Sequence, residues 1–533
     1  MRVPRAHTNN LPIRSLEHDK LIGEIHPVPD RDAFIVSIQS PQASEHLKRA
    51  TCDIVLVVDV SGSMSSAAPL PEAEDEDEKE AAGLSVLDLV KHAARAILET
   101  LGPGDRLGIV TFSDDAKIVQ ELTTMSSAEK KATWQRIEKL HDEASTNLWA
   151  GIRTGLDLFS KNPLVDNVQG LYLLTDGMPN HMCPPQGYVA KLRPMLHSVA
   201  RERFTVPTIH TFGFGYQIRS ELMQSIAEVG GGSYAFIPDA GMIATAFVHS
   251  VANLYCTLGT SATLEVNLSK DIPLEVAAGM CLTTGERGHL LRLGNIQYGQ
   301  SRDLVFVCPE GIPEETVITA TLNYKLANGS ERAFQAQAMF SDRTTMPPSL
   351  VEYHSQRAQI CGLVSSLFPL KDNGEHTTMN DKDSLARAQA ALDNIAATIQ
   401  TSLYKNDPAL KSLLDELTGD EPAGQILRAL TWTSENPYWR KWGRHYLPSL
   451  LHAHQRQMCN TFKDPGPLLY GTNSPLFIKW RTELDSAFDN LPAPKPSRPP
   501  RVVYTYDSSG TLTGGRTIAH RIVNMRRYNL SSA

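Results

Sequence analysis

The chain is poor in cysteine, and the little it has is scattered: seven in 533 residues (Cys52, Cys183, Cys256, Cys281, Cys308, Cys361, Cys459), with no C-x-x-C pair. An odd, dispersed set argues against a disulfide framework and against a cysteine-rich zinc site, and leaves reduced thiols as the expectation. Long apolar runs are missing too. Nothing approaches the ~18 residues a membrane-spanning helix needs, and Met1–His7 lacks the apolar core of a signal peptide. The expected setting is therefore cytoplasmic, with no membrane partner. Positive charge is not in excess. At a net −8 there is no global electrostatic case for nucleic acid or an anionic surface, so no nucleic-acid partner is expected. Catalytic signatures are also absent: no G-x-S-x-G, no G-x-x-x-x-G-K-[ST] and no H-E-x-x-H. A non-enzyme is expected.

What is present begins with Asp59-Val60-Ser61-Gly62-Ser63, directly after the apolar run Ile54-Val55-Leu56-Val57-Val58. A buried strand ends in three short oxygen-bearing side chains at alternate positions, with a glycine that lets the backbone turn. Such spacing aims one carboxylate and two hydroxyls at one point, a donor set suited to a hard divalent cation, Mg²⁺ before Zn²⁺.

At this length two to four domains are expected. Residues 51–256 alternate near-continuous apolar strands with amphipathic helices, the pattern of an α/β, Rossmann-like, doubly wound and mostly parallel sheet. Such sheets bind ligands at the carboxyl ends of their strands, where Asp59 lies. Residues 257–342 change to alternating strands, with Asn328-Gly329 as a hairpin signal, and predict a small antiparallel β-sandwich. Residues 31–50 supply an earlier strand predicted to join it, which inserts the α/β domain into the β domain. Residues 349–491 repeat apolar positions at helical spacing and predict a helical bundle. Residues 1–30 and the Pro-rich, basic tail 492–533 are expected to be disordered, as is the acidic insert 66–82. A sharper reading of that insert has one of its acids filling the metal's open position.

Two further clusters are read as packing. Trp432, Tyr438, Trp439, Arg440, Lys441 and Trp442 suit a helix with charged stems along its rim better than a base-stacking surface. His445, His452, His454 and Cys459 do not share one helix face, and Pro448 intervenes, so no metal is expected there.

Two more segments complete the opening motif: Ser145-Thr146-Asn147 before a helix, and Thr175-Asp176-Gly177 after the strand Leu171–Leu174. In order, spacing and strand context, Asp59-x-Ser61-x-Ser63, Thr146 and Asp176 resemble the metal-ion-dependent adhesion site (MIDAS) of the von Willebrand factor type A (VWA) domain. The resemblance implies that Asp59, Ser61, Ser63, Thr146 and Asp176 hold Mg²⁺ or Mn²⁺ and that a partner's Asp or Glu completes the coordination. Relatives often place glycine before the threonine. Here Ser145 stands there, expected to tilt the Thr146 loop and weaken affinity without deleting a ligand. Over residues 30–497 the chain also resembles intracellular plant and fungal proteins that join this domain to a flanking β domain and a helical region, through Asp32–Val36, Asp53–Met64, Ser474-Pro475-Leu476-Phe477 and Leu491-Pro492-Ala493-Pro494. Some members carry a RING or U-box and act as ubiquitin ligases, and others carry an intein-like Hint module. The chain lacks the Cys/His pattern of a RING. The short stretch before the first strand and the short tail lead to the expectation of neither a U-box nor a Hint module. The leading expectation is a metal-dependent scaffold or adaptor. The alternative is the substrate-binding part of a ubiquitin-ligase assembly whose catalytic module is another chain, and a metal-dependent hydrolase comes last.

Overall fold

The computed structural model describes residues 21–43, 49–68, 83–161, 167–202, 206–238, 240–285, 288–326, 328–420, 424–434, 437–459, 470–471, 473–498, 502–506 and 512–517. Most of the acidic insert lies outside them.

Two strands come first, β1 (Ile22–Val28) and β2 (Ala33–Gln39). The α/β unit follows as β3 (Cys52–Asp59), α1 (Val86–Thr100), β4 (Arg106–Phe112), β5 (Ala116–Thr124), α2 (Ser127–Glu138), α3 (Leu148–Lys161), β6 (Val168–Thr175), α4 (Tyr188–Glu202), β7 (Thr208–Phe214), α5 (Ser220–Val229), β8 (Gly231–Ile237) and α6 (Ala240–Tyr255). Its sheet runs β5-β4-β3-β6-β7-β8, parallel except for β5. This is the doubly wound sheet that the sequence predicts. All eight residues of β3 are buried, so each apolar side chain from Ile54 to Val58 contributes about 1.5–3 kcal/mol relative to exposure. β3 is flanked by β4 and β6, which makes its carboxyl end the switch point of the sheet. The polar edge strand β5 was not legible in the sequence, because its exposed residues give no continuous apolar run.

The β region comprises β9 (Thr257–Leu268), β10 (Glu275–Val276), β11 (Thr283–Thr284), β12 (His289–Gln297), β13 (Arg302–Val307), β14 (Val317–Leu326) and β15 (Glu331–Met339). One sheet runs β1-β2-β13-β10 and the other β11-β12-β9-β14-β15. β2 pairs with β13 in antiparallel register, Ala33 opposite Val307 through Ile38 opposite Arg302. The α/β unit therefore lies, in sequence, between two strands of one sheet. β1 corrects the expectation of disorder for 1–30 over residues 22–28. It is an edge strand whose exposed first half carries little apolar signal, and its order comes from pairing with β2 and from the Phe334 ring lying over Gly23.

Helices follow: α7 (Pro348–Ser366), α8 (Lys382–Thr401), α9 (Pro408–Thr418), α10 (Gln425–Leu430), α11 (Arg444–Arg456) and α12 (Pro475–Asp489). A π-helical turn, Trp439–Gly443, leads into α11, which runs on through Pro448. Trp439 is fully buried, as the packing reading of the aromatic cluster requires. The three histidines of α11 find separate partners: His445 meets Ser220, His452 meets Glu228 and His454 meets Glu416. In the tail, 492–498 lies against the α/β unit, and Val502–Tyr506 pairs with Leu512–Thr517 as a hairpin. Expected disorder does not extend to those residues. Among the described residues no helix is long and apolar enough to cross a membrane.

Candidate metal centre

β3 delivers Asp59 to the carboxyl edge of the sheet, and the chain then makes one 3₁₀ turn, Gly62–Ser65. The turn is pinned by backbone bonds from Met64 to Ser61 (3.0 Å) and from Ser66 to Ser63 (2.8 Å). Ser61 N–H donates to Asp59 Oδ1 at 2.8 Å, which fixes the carboxylate's orientation. Across the sheet, Val58 is level with Leu174, so Thr175 stands beside Asp59 and donates its hydroxyl to Oδ2 at 2.5 Å.

The other two segments arrive from either side. Thr146 precedes α3, its N–H bonded to Asn180 Oδ1 at 3.0 Å and its carbonyl accepting from Asn180 and His181 N–H. Gly62 N–H donates to Ala144 O at 3.2 Å, tying this loop to the 3₁₀ turn. Asp176 follows β6 and accepts from Ser63 Oγ at 2.7 Å, while Ser63 and Ser61 hydroxyls lie 3.1 Å apart. One point measures the convergence. A Cβ placed on Gly177 would lie 3.2 Å from Ser63 Oγ, 3.8 Å from Asp59 Oδ2 and 3.8 Å from Thr146 Oγ1. A side chain at 177 would press on Ser63 Oγ and reach ordinary contact with the other two oxygens, so the glycine eases the approach of Ser63.

Asp59, Ser61, Thr146 and Asp176 are buried, and Ser63 is exposed. Burial raises the Asp59 carboxyl above its usual range despite the bonds from Ser61 and Thr175. Asp176 is pushed up to about 7, first by burial and then by the neighbouring Asp59 charge. No ion pair to Lys, Arg or His is recorded for either carboxylate among the described residues. Two adjacent buried carboxylates with only hydroxyl and amide partners form an electrostatic deficit that a cation relieves. The donors, two carboxylates and three hydroxyls, fit a hard oxygen-seeking ion. Among the described residues, no three His, Cys, Asp or Glu side chains group as a metal site, which leaves the soft-donor chemistry of structural zinc without support.

Ser145 does not need glycine's freedom: it is not among the residues with left-handed backbone, and its N–H donates to Asp114 Oδ1 at 3.2 Å. Thr146 Oγ1 lies 3.8 Å from the Cβ position of Gly177, which is also 3.2 Å from Ser63 Oγ. Sequence reasoning assigned no role to Thr175, Asn180 or Asp114. For Thr175 the signal was readable, since the last residue of β6 in register with Asp59 shares its edge.

A doubly wound sheet with a D-x-S-x-S loop at its switch point, facing a threonine loop and a second aspartate, has the fold of a VWA domain. Residues 54–178 match the family model described as von Willebrand factor type A domain. Residues 407–486 match one described as VWA / Hh protein intein-like, and in this chain that segment includes α9 to α11 and most of α12. The chain is similar to the uncharacterized protein sll0103 of Synechocystis sp., with 26% identity over 278 residues, 50% of this chain and 58% of that protein. It is also similar to the E3 ubiquitin-protein ligase WAV3 of Arabidopsis thaliana, with 23% identity over 265 residues, 48% of this chain and 31% of that protein. In both, the match spans less than two thirds of the relative. Among solved structures, a von Willebrand factor type A protein from Catenulispora acidiphila shares the fold, with a TM-score of 0.50 and 16% identity over 74% of this chain and 89% of that one.

Proposed function

We propose that the chain is a divalent-metal-dependent protein-interaction module. Asp59, Ser61, Ser63, Thr146 and Asp176 would hold Mg²⁺ or Mn²⁺, and an Asp or Glu of a partner protein would fill the open position. The supporting observation is the convergence of Asp59 Oδ2, Ser63 Oγ and Thr146 Oγ1 within 4 Å of one point, beside two carboxylates that have no ion pair to a cationic side chain among the described residues. Bound there, the ion supplies Lewis acidity toward a hard anionic donor. The chain's own residues do the rest. Thr175 and the Ser61 amide orient Asp59, Ser63 bridges toward Asp176, and Asn180 fixes the threonine loop.

A pull-down with the full chain tests this reading. Capture of a partner should be lost with EDTA, return with Mg²⁺, and fail with Asp59→Ala. Capture that survives both treatments overturns it. A second reading, the substrate-binding part of a ubiquitin-ligase assembly, is favoured by the similarity to a ligase of Arabidopsis thaliana. Co-recovery of a ubiquitin-conjugating enzyme in the same pull-down would favour it.

A further inference from the structure

The segment after α12 does not leave the molecule directly. Residues 492–498 (Pro-Ala-Pro-Lys-Pro-Ser-Arg) place proline at alternate positions, which stiffens the chain and removes three backbone donors. Lys495 Nζ meets Glu138 Oε1 on α2 at 2.5 Å. Ser497 then enters the cap of α1. Ser85 and Asp88 form a capping box there, with Asp88 N–H on Ser85 Oγ at 3.1 Å and Ser85 N–H on Asp88 Oδ2 at 2.9 Å. Ser497 adds its N–H (3.0 Å) and hydroxyl (2.7 Å) to the same Asp88 Oδ2, and its Oγ lies 3.0 Å from Ser85 Oγ. Arg498 continues onto the metal loop. Its N–H donates to Gly83 O at 3.1 Å, and Nη1 donates to Ser65 O, the last residue of the 3₁₀ turn, at 3.1 Å.

The two partners at this latch differ in access. Asp88 is only 3% exposed, whereas Ser497 is exposed and flanked by Lys495 and Arg498. A neutral hydroxyl suits a buried carboxylate because it donates. A phosphate cannot donate there, carries a charge near −2, and would sit against Asp88. We propose that Ser497 is a phosphoryl-acceptor latch: the strap braces the metal loop while Ser497 is a free hydroxyl and leaves it once Oγ is phosphorylated. The donor is a nucleoside triphosphate used by a kinase that selects basic flanks. The Oγ–P bond forms as the γ-phosphoryl bond to the leaving diphosphate breaks, and the hydroxyl proton passes to the kinase's base. Release frees Ser65 O and the cap of α1 together, because Val86 N–H bonds to Ser66 O at 3.1 Å.

The test treats the full chain with ATP and a basic-directed serine kinase, maps the phosphosites, and reads amide hydrogen exchange without metal. Ser497 should be modified, and the amides of Met64, Ser66, Val86 and Arg498 should exchange about tenfold faster or more. Ser497→Asp should reproduce part of this, whereas Ser497→Ala, which adds no charge, should change exchange by less than about threefold. Failure to modify Ser497 while other serines are modified overturns the proposal. So does a phosphorylated chain whose Ser66 and Val86 amides keep their unmodified rates. Only the description of the Asp59–Ser65 turn as a metal loop rests on the function proposed above. A Mg²⁺ titration of the unmodified chain showing no binding would remove that function and leave the exchange result standing.

Discussion

At its start β3 holds Asp53 between Arg106, which donates Nε to Oδ1 at 2.7 Å, and Asn167, at 2.7 Å to the same oxygen. Beside it Asp105 is clasped by Arg49 and by the N–H groups of Cys52 (2.9 Å) and Gly102 (2.6 Å). At the other end of the same strand, Asp59 and Asp176 are buried among hydroxyls and amides, with no recorded guanidinium or ammonium. Both ends bury paired carboxylates in one sheet, and among the described residues ion pairs to arginine are seen at the amino end alone. Burial of a charge is tolerated when a partner of opposite sign is fixed against it. The amino edge is therefore closed by its own arginines, and the carboxyl edge is where the proposed cation would supply the compensation.

The comparison can be broken hardest at its paired end. Arg106→Met leaves Asp53 buried without its cation and should cost about 3–5 kcal/mol in urea unfolding, equally with and without Mg²⁺. A loss that Mg²⁺ restores would show that the two ends are not distinct. Next, Asp59→Asn removes a buried charge that no side-chain cation balances. It should leave metal-free stability unchanged or raised, yet abolish the Mg²⁺-dependent gain, which for the unmodified chain is about 2.7 kcal/mol at one hundred times Kd. Thermal melts with and without Mg²⁺ read both signs.

Glu228 is an intermediate case, a carboxylate neutralised by imidazoles. His376 Nε2 lies 2.7 Å from it and His452 Nε2 3.0 Å. Against its burial, the two histidines hold Glu228 below the usual carboxylate range. His376 is raised above 6.5 by Glu228, which outweighs its own burial, whereas burial keeps His452 low. The raised His376 contributes stability that is fully present below about pH 6.5 and lost as pH rises through its folded value. The depressed Glu228 contributes above about pH 4.5 and loses its share as pH falls through its own folded value. Between pH 6 and pH 8 the slope of stability against pH should therefore be more negative for the unmodified chain than for Glu228→Gln. An unchanged slope in the variant would place its source elsewhere.

Much of the central sheet was legible because β3, β4, β6 and β7 are buried on both faces, and full burial demands unbroken apolar runs. The edges were not. β1 and β5 expose much of their length, so pairing and not composition orders them. The strap 492–498 reads as a linker because three prolines bar helix and central strand, and nothing in those residues announces that Ser497 fits the cap built by Ser85 and Asp88.

The amino-acid sequence by itself determined the donor types and their order: Asp59, Ser61 and Ser63 on one turn, then Thr146, then Asp176. Local spacing and strand context are written in the order of residues. The tertiary structure alone decided that Thr175 would orient Asp59, that Gly177 would lie close against Ser63, and that Arg106 would neutralise Asp53 at the start of β3. Those outcomes depend on register and on side chains far apart in the chain, and packing fixes them.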